Sequence, residues 1–135
     1  MRQEYKDVLL QDLCARLPYK VKTQISDEYE DYRSVIESID IDGFVVDFEG
    51  VQMAIEYLKP YLFPLSSMTE EQKKELHDKL IELELKALND EISRIEAVSF
   101  EIDYYLKNHF DYRGLIEKGL AIDATGLNIY KEKTK

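Results

Sequence analysis

The stretch Ser38 to Glu49, SIDIDGFVVDFE, admits two readings that lead to different proteins. Laid on a calcium-loop pattern, Ser38, Asp40 and Asp42 take positions one, three and five, Gly43 the sixth, Val45 the apolar eighth and Glu49 the twelfth. Asp40, Asp42 and Glu49 would then coordinate a cation together with the Phe44 carbonyl. Ser38 in place of the usual first aspartate removes a charge from that set, and no second copy of the pattern stands beside it. The other reading takes Asp42-Gly43 as a two-residue hairpin turn, whose central positions both need positive φ. Ile41 then pairs with Phe44 and Ile39 with Val46, and these four share one face with Val35 and Phe48. Ser38, Asp40, Val45, Asp47 and Glu49 fall on the other, mostly polar face. The alternation favours the hairpin, so sheet is expected here and no metal site; Asp40, Asp42 and Glu49 stay as the weaker alternative.

Working outward, residues 3–17 place Tyr5, Leu9, Leu10, Leu13, Cys14 and Leu17 at three- and four-residue spacings, the stripe of an amphipathic helix that Pro18 ends. Cys14 lies on that stripe and reads as a small core hydrophobe. Residues 19–58 alternate in short runs broken by the acidic DEYED and read as a small antiparallel sheet. In KPYLFPLSSM, residues 59–68, prolines four apart argue against a central strand and favour an extended connector. Thr69 with Gln72 fits a capping box, and apolar stripes run on from Leu76 to Ile95, so 69–118 reads as two or three helices. A break is expected near Asn89-Asp90, with Ser99 capping the next helix. Residues 124–135 read as a frayed tail, and no internal repeat is apparent. The fold class is therefore α+β in a single domain, 1–135, with the helices packed on the sheet.

The 135 residues include 28 acidic and 18 basic side chains, a formal charge of −10. That field repels phosphate backbones and disfavours broad nucleic-acid binding, while suiting a positively charged partner. Cys14 is the only cysteine, so no intrachain disulfide forms and a reducing, cytoplasmic setting is expected. MRQEYKDVLL lacks the form of a signal peptide, and no run approaches the ~18 apolar residues of a membrane span.

Candidate chemistry is thin. His77 and His109 lack a second histidine at metal-binding spacing. Ser66 or Ser67 with His109 and Asp111 nominally spells a hydrolase triad, but without a G-x-S-x-G elbow or a glycine-built oxyanion loop. No Walker or Rossmann glycine pattern occurs, so no catalytic residue and no cofactor is assigned. The local positive spots are Arg16, Lys20 and Lys22 in LPYKVK and the tail YKEKTK, too short for a nucleic-acid stripe.

The strings LCARLPYKVK, KPYLFPLSSMTEEQ and NHFDYRGLIEKGLAI resemble a family of short uncharacterised proteins from phages, prophages and mobile elements of Bacteroides-type gut bacteria. The resemblance covers about a third of the chain and implies a mobile-element setting inside a bacterial cell, but no activity. It directs attention to Pro60, Tyr61 and Pro64 and to Asp111, Tyr112 and Arg113 as an interaction surface, tyrosine and arginine being favoured anchors. The expected function is a non-enzymatic protein-interaction or accessory protein. An acidic DNA-mimic decoy of a DNA-binding protein comes second, and an enzyme of unrecognised type third.

Overall fold

The computed structural model describes residues 2–26, 31–40 and 42–130. It has the expected α+β architecture. Helix α1 (Gln3–Arg16) and a 3-10 turn (Leu17–Tyr19) lead into strands β1 (Lys22–Ser26), β2 (Asp31–Ile39), β3 (Phe44–Asp47), β4 (Gln52–Ala54) and β5 (Leu58–Pro64). Helices α2 (Glu70–Leu88) and α3 (Arg94–Lys107) follow, then two-residue strands β6 (Phe110–Asp111) and β7 (Ile122–Asp123). Hydrogen-bonded neighbours run β4-β3-β2-β1-β5-β6, with β7 also paired to β5. The first five strands pair antiparallel, but β6 and β7 run parallel to β5, so the sheet is mixed.

The hairpin at the opening stretch forms in a different register from the one the sequence suggests. Ile39 pairs with Val45 and Ser38 with Val46, and an irregularity lies between Ile36 and Ser38. Asp40 N–H donates to Phe44 O and Gly43 N–H to Asp40 O, enclosing a three-residue loop with Gly43 at φ +83°. This is a turn closed by a left-handed glycine, one residue longer than the expected two-residue type. A one-residue slip turns every side chain over. Val45 and Asp47 are therefore buried, while Phe44 and Phe48, expected in the core, are exposed. Ile39 does pack against the core from a partly buried position, and Ile41 lies outside the described residues.

The same turn recurs seven residues later. Asp47 N–H donates to Val51 O, Gly50 N–H donates to Asp47 O, and Gly50 sits at φ +86°. In both turns the aspartate Oδ1 accepts two amides, those of Asp42 and Phe44 at Asp40 and of Glu49 and Val51 at Asp47. The spelling Asp-x-x-Gly-apolar returns at Asp111…Leu115 and Asp123…Leu127, so the chain carries a short repeat after all. Its chemistry is that of an aspartate folding the backbone onto its own carboxylate.

Residues 59–64, expected as part of a connector, belong to β5, the strand on which the sheet turns. Pro60 pairs with Thr23 of β1, and Pro64 with Asp111 of β6. Successive residues point their N–H and C=O to opposite edges, so prolines an even number apart lose their donors on one edge only. Along the other edge Phe63 N–H donates to His109 O at 2.8 Å. Leu62 C=O instead accepts from Ala124 N–H on the proline edge, at 2.8 Å. Thus β1 and β6 follow one another along one edge of β5, and β7 borders the other.

Side chains of β5 also divide by parity. Leu58 and Leu62 join Leu9, Leu13, Val21, Ile25, Ile36 and Val45 in the main core, under α1. Tyr61 and Phe63 enter two smaller clusters, with Ala124 and Ile129 in one and Met68, Leu76 and Phe110 in the other. The buried face of α1 is Leu9, Asp12, Leu13 and Arg16, so Cys14, expected as a core residue, is exposed one step round the helix.

The α2 capping box forms as expected: Thr69 Oγ1 accepts from Gln72 N–H and Gln72 Oε1 from Thr69 N–H. The break after Leu88 also forms, with Asp90 at φ +59°, but α3 is capped by Ser93 rather than Ser99 and starts six residues earlier. Of the expected tail, Ala124 and Ile129 are buried, and 131–135 lie outside the described residues. Among the described residues no helix is long and apolar enough to cross a membrane.

Candidate functional site

Two polar constructions meet around β6. The first is a buried ion pair on α1. Arg16 Nε donates to Asp12 Oδ2 at 2.6 Å and Nη2 to Asp12 Oδ1 at 3.2 Å, with both side chains fully buried. Arg16 Nη2 also donates to Phe110 O at 2.7 Å, tying the helix to β6. Arg113 Nε stands 3.3 Å from Asp12 Oδ1, close enough for charge attraction but out of line for a hydrogen bond. Both guanidinium groups lie over the Tyr112 ring, at 5.9 and 5.0 Å.

The second construction is built by Tyr130, at the far end of the chain. Its hydroxyl accepts from Lys22 N–H at 2.8 Å and donates to Tyr61 O at 2.7 Å. It occupies the rung of the β1–β5 ladder beyond the Thr23–Pro60 pair, as an inserted water would. Lys22 Nζ donates to Ile129 O, and its ammonium lies over the Tyr130 ring. The imidazole of His109 stacks on the Tyr130 ring, 3.7 Å between centroids and 14° between planes. Burial, with the positive charges of Arg16 and Lys22 adding to it, pushes the His109 pKa down to about 4. The ring is therefore neutral at pH 7. Burial likewise raises the Tyr130 phenol well above its ordinary value.

Beside this stack opens a cleft of about 570 Å³, where β5 and β7 end and β6 begins. Phe63, Phe110 and Tyr130 form its aromatic side, and Lys107, His109 and Asn128 are among its polar groups. His109 and Asn128 both have positive φ, 62° and 56°, backbone that histidine and asparagine tolerate better than most residues. Among the described residues the buried side-chain polar atoms without a hydrogen bond are His109 Nδ1, Arg16 Nη1, Arg113 Nε and Ser34 Oγ.

The residues singled out from sequence are placed as follows. Pro60 and Tyr61 are buried in β5, the Tyr61 ring under the Arg33 guanidinium at 5.5 Å, and Pro64 is half-buried. Asp111 is buried, and its two oxygens accept the amides of Leu115 and Ile116. Tyr112 and Arg113 are half-buried beside Asp12 and Arg16. Pro60 and Tyr61 thus lie inside the sheet and Asp111 inside its turn, whereas Pro64, Tyr112 and Arg113 keep part of their surface exposed. Ser67 and His109 do line the same cleft, but Ser67 Oγ donates to Pro64 O and Asp111 is engaged in its own turn, so no relay joins the three.

Asp40 lies in its turn, with Oδ2 accepting from Gln52. Among the described residues no three histidine, cysteine, aspartate or glutamate side chains gather where they could hold a metal ion. The basic spot in LPYKVK is dispersed as well, Arg16 being buried and Lys22 tied to the C-terminal segment. Comparisons with known proteins return no matching family model, curated protein or solved structure.

Sequence reading missed Tyr130 and the cleft. Tyr130 stands in a polar, lysine-rich terminus, and only an isolated aromatic residue two positions after Asn128 marked it. The strongest local signal was Asn-His before an apolar residue at the end of α3, where a left-handed residue closes a helix.

Proposed function

We propose that this chain is a non-enzymatic protein-interaction module, and that the outer half of the α2–α3 hairpin receives a basic amphipathic helix from a partner protein. One observation carries the reading. Ile81, Leu85 and Leu88 on α2, and Ile95, Val98 and Ile102 on α3, are all exposed, from 37% at Ile102 to 75% at Ile95. Their spacings, four then three and three then four, are those of a coiled-coil seam. The hairpin is seated at its base by Leu76, Leu80, Phe100 and Tyr104, while the outer half keeps its aliphatic stripes in solvent. Leu88 and Val98 border one groove with Ala87 and Ala97.

Charge selects the occupant. Glu82, Glu84, Asp90, Glu91 and Glu96 surround these stripes against Lys86 and Arg94, so a second copy would bring like charges together. A helix with leucines on one face and lysines at its margins complements both features. The accompanying setting, an accessory protein of a phage or mobile element acting in the cytoplasm, is supported by the resemblance of the three strings quoted above. The acidic-decoy reading shares the basic partner but needs only charge, not the aliphatic stripe.

Fluorescence anisotropy with a labelled helical peptide, leucine at a and d and lysine at e and g, separates these readings. Micromolar binding is expected, weakened at least about tenfold by Leu85→Lys with Val98→Lys and only slightly by raising salt. Binding that survives the double substitution and collapses with salt supports the decoy instead. A dimer at micromolar concentration that fails to take the peptide would show the stripe to be a self-association surface.

A further inference from the structure

Beyond the interaction surface, we infer that the cleft beside the His109–Tyr130 stack is a binding site for a small flat heterocycle carrying an anionic group, of mononucleotide size. Its volume of about 570 Å³ falls in the range of small-molecule sites. It opens where β5 and β7 end and β6 begins, between Phe63, Ala124 and the segment Lys107 to Phe110.

Its lining departs from the rest of the chain in charge. Of 135 residues 28 are acidic, yet among the described residues no carboxylate lines the cleft, whereas Lys107 does. Among the described residues Lys107 has no ion-pair partner. An anion therefore meets an unpaired ammonium and no opposing carboxylate in the wall. A long polyanion would still face the field of the whole molecule, so the site suits one anionic group rather than a strand.

The remaining polar groups suit the edge of a heterocycle. Asn128 offers an amide, donor and acceptor together, that makes no side-chain hydrogen bond among the described residues. Gln72 gives its oxygen to the α2 cap and keeps its NH2, and Asn108 gives its NH2 to Tyr104 O and keeps its oxygen. His109 Nδ1 is buried in the wall without a hydrogen bond, an unsatisfied group that calls for a partner. Phe63 and Phe110 supply apolar surface for the faces of a ring.

Titration of the 15N-labelled full chain with AMP, GMP, CMP and UMP, followed by amide chemical shifts, tests the site. At least one nucleotide is expected to saturate below millimolar concentration, with the largest shifts at His109, Asn128 and Ala124. Lys107→Ala should weaken that nucleotide at least about fivefold while leaving adenosine or the matching nucleoside unchanged, and Asn128→Ala should weaken both. The unliganded spectra of the two variants report whether they remain folded. No saturable shift with any of the four, shifts centred elsewhere, or a Lys107→Ala variant that binds like the parent would overturn the assignment. Tighter binding of a 5′-phosphorylated trinucleotide would overturn the restriction to free mononucleotides.

Discussion

The hydroxyl of Tyr130 donates to the main-chain oxygen of Tyr61 at 2.7 Å, across 69 residues of sequence. The Tyr130 hydroxyl oxygen in turn accepts from Lys22 N–H, so a side chain replaces one direct rung of the sheet. Tyr130→Phe keeps the ring against His109 and Phe63 but leaves an amide and a carbonyl without their partner. A loss of about 1–3 kcal/mol is expected, as for other orphaned buried groups. Urea unfolding measures it, and amide exchange at Lys22 should quicken specifically. Unchanged exchange there would mean that the hydroxyl does not close the ladder.

Asp12 and Arg16 are fully buried and face each other one helical turn apart. Removing either alone strands a charge in the core, so Asp12→Leu or Arg16→Met should cost about 3–5 kcal/mol. Replacing both, Asp12→Leu with Arg16→Met, should recover most of that loss, since an apolar pair avoids desolvating two ions. Chemical denaturation of the three variants forms a double-mutant cycle. A double variant as unstable as the sum of the singles would point to Phe110 and Arg113 as the partners that matter.

The parts of the fold written in local chemistry were legible before the structure. Thr69 and Gln72 spell their cap within four residues, and Asn89-Asp90 mark a helix break by composition alone. The hairpin was legible as a hairpin, but its register was not: Asp42-Gly43 fits a two-residue turn as well as the last two positions of a three-residue loop. The bond that decides between them, Asp40 carboxylate to Phe44 N–H, leaves no trace in alternation. The prolines of β5 misled because each was weighed alone, whereas an even separation puts both missing donors on one edge. Tyr130, Phe63 and His109 are brought together over distances at which a single sequence holds no pairing information. The candidate cleft was therefore out of reach, apart from His109 itself.

His109 is kept neutral by its surroundings, with a pKa near 4 when folded against 6.5 for a free side chain. Between those values the unfolded chain binds a proton that the folded chain refuses. Stability from this group is therefore complete above about pH 6.5, falls as pH drops toward 4, and is level below. The full shift corresponds to about 3 kcal/mol, and solvent screening of the half-buried ring reduces it to about 1–2 kcal/mol. His109→Asn suits the positive φ and removes the titration. The stability difference between parent and variant should shrink from pH 7 to pH 4 in urea melts; a constant difference would place the effect in stacking alone.

Asp40 and Asp47 fold the same turn in different surroundings, which separates the worth of the motif from that of its burial. Each Oδ1 accepts two amides, but Asp40 is exposed and Asp47 is 2% exposed. In Asp40→Ala water reaches the freed amides, so the cost should be about 0.5–1 kcal/mol; Asp47→Ala leaves less accessible donors and should cost about 2–3 kcal/mol. If calcium instead organised this region through Asp40, Asp42 and Glu49, the ion would stabilise the parent and Asp47→Ala but not Asp40→Ala, which lacks a ligand. With the Asp40 carboxylate already bonded to backbone and to Gln52, millimolar calcium should leave the melting temperature of the parent unchanged and give no saturable heat. A rise of several degrees in the parent, abolished by Asp40→Ala, would restore the ion-binding reading of SIDIDGFVVDFE.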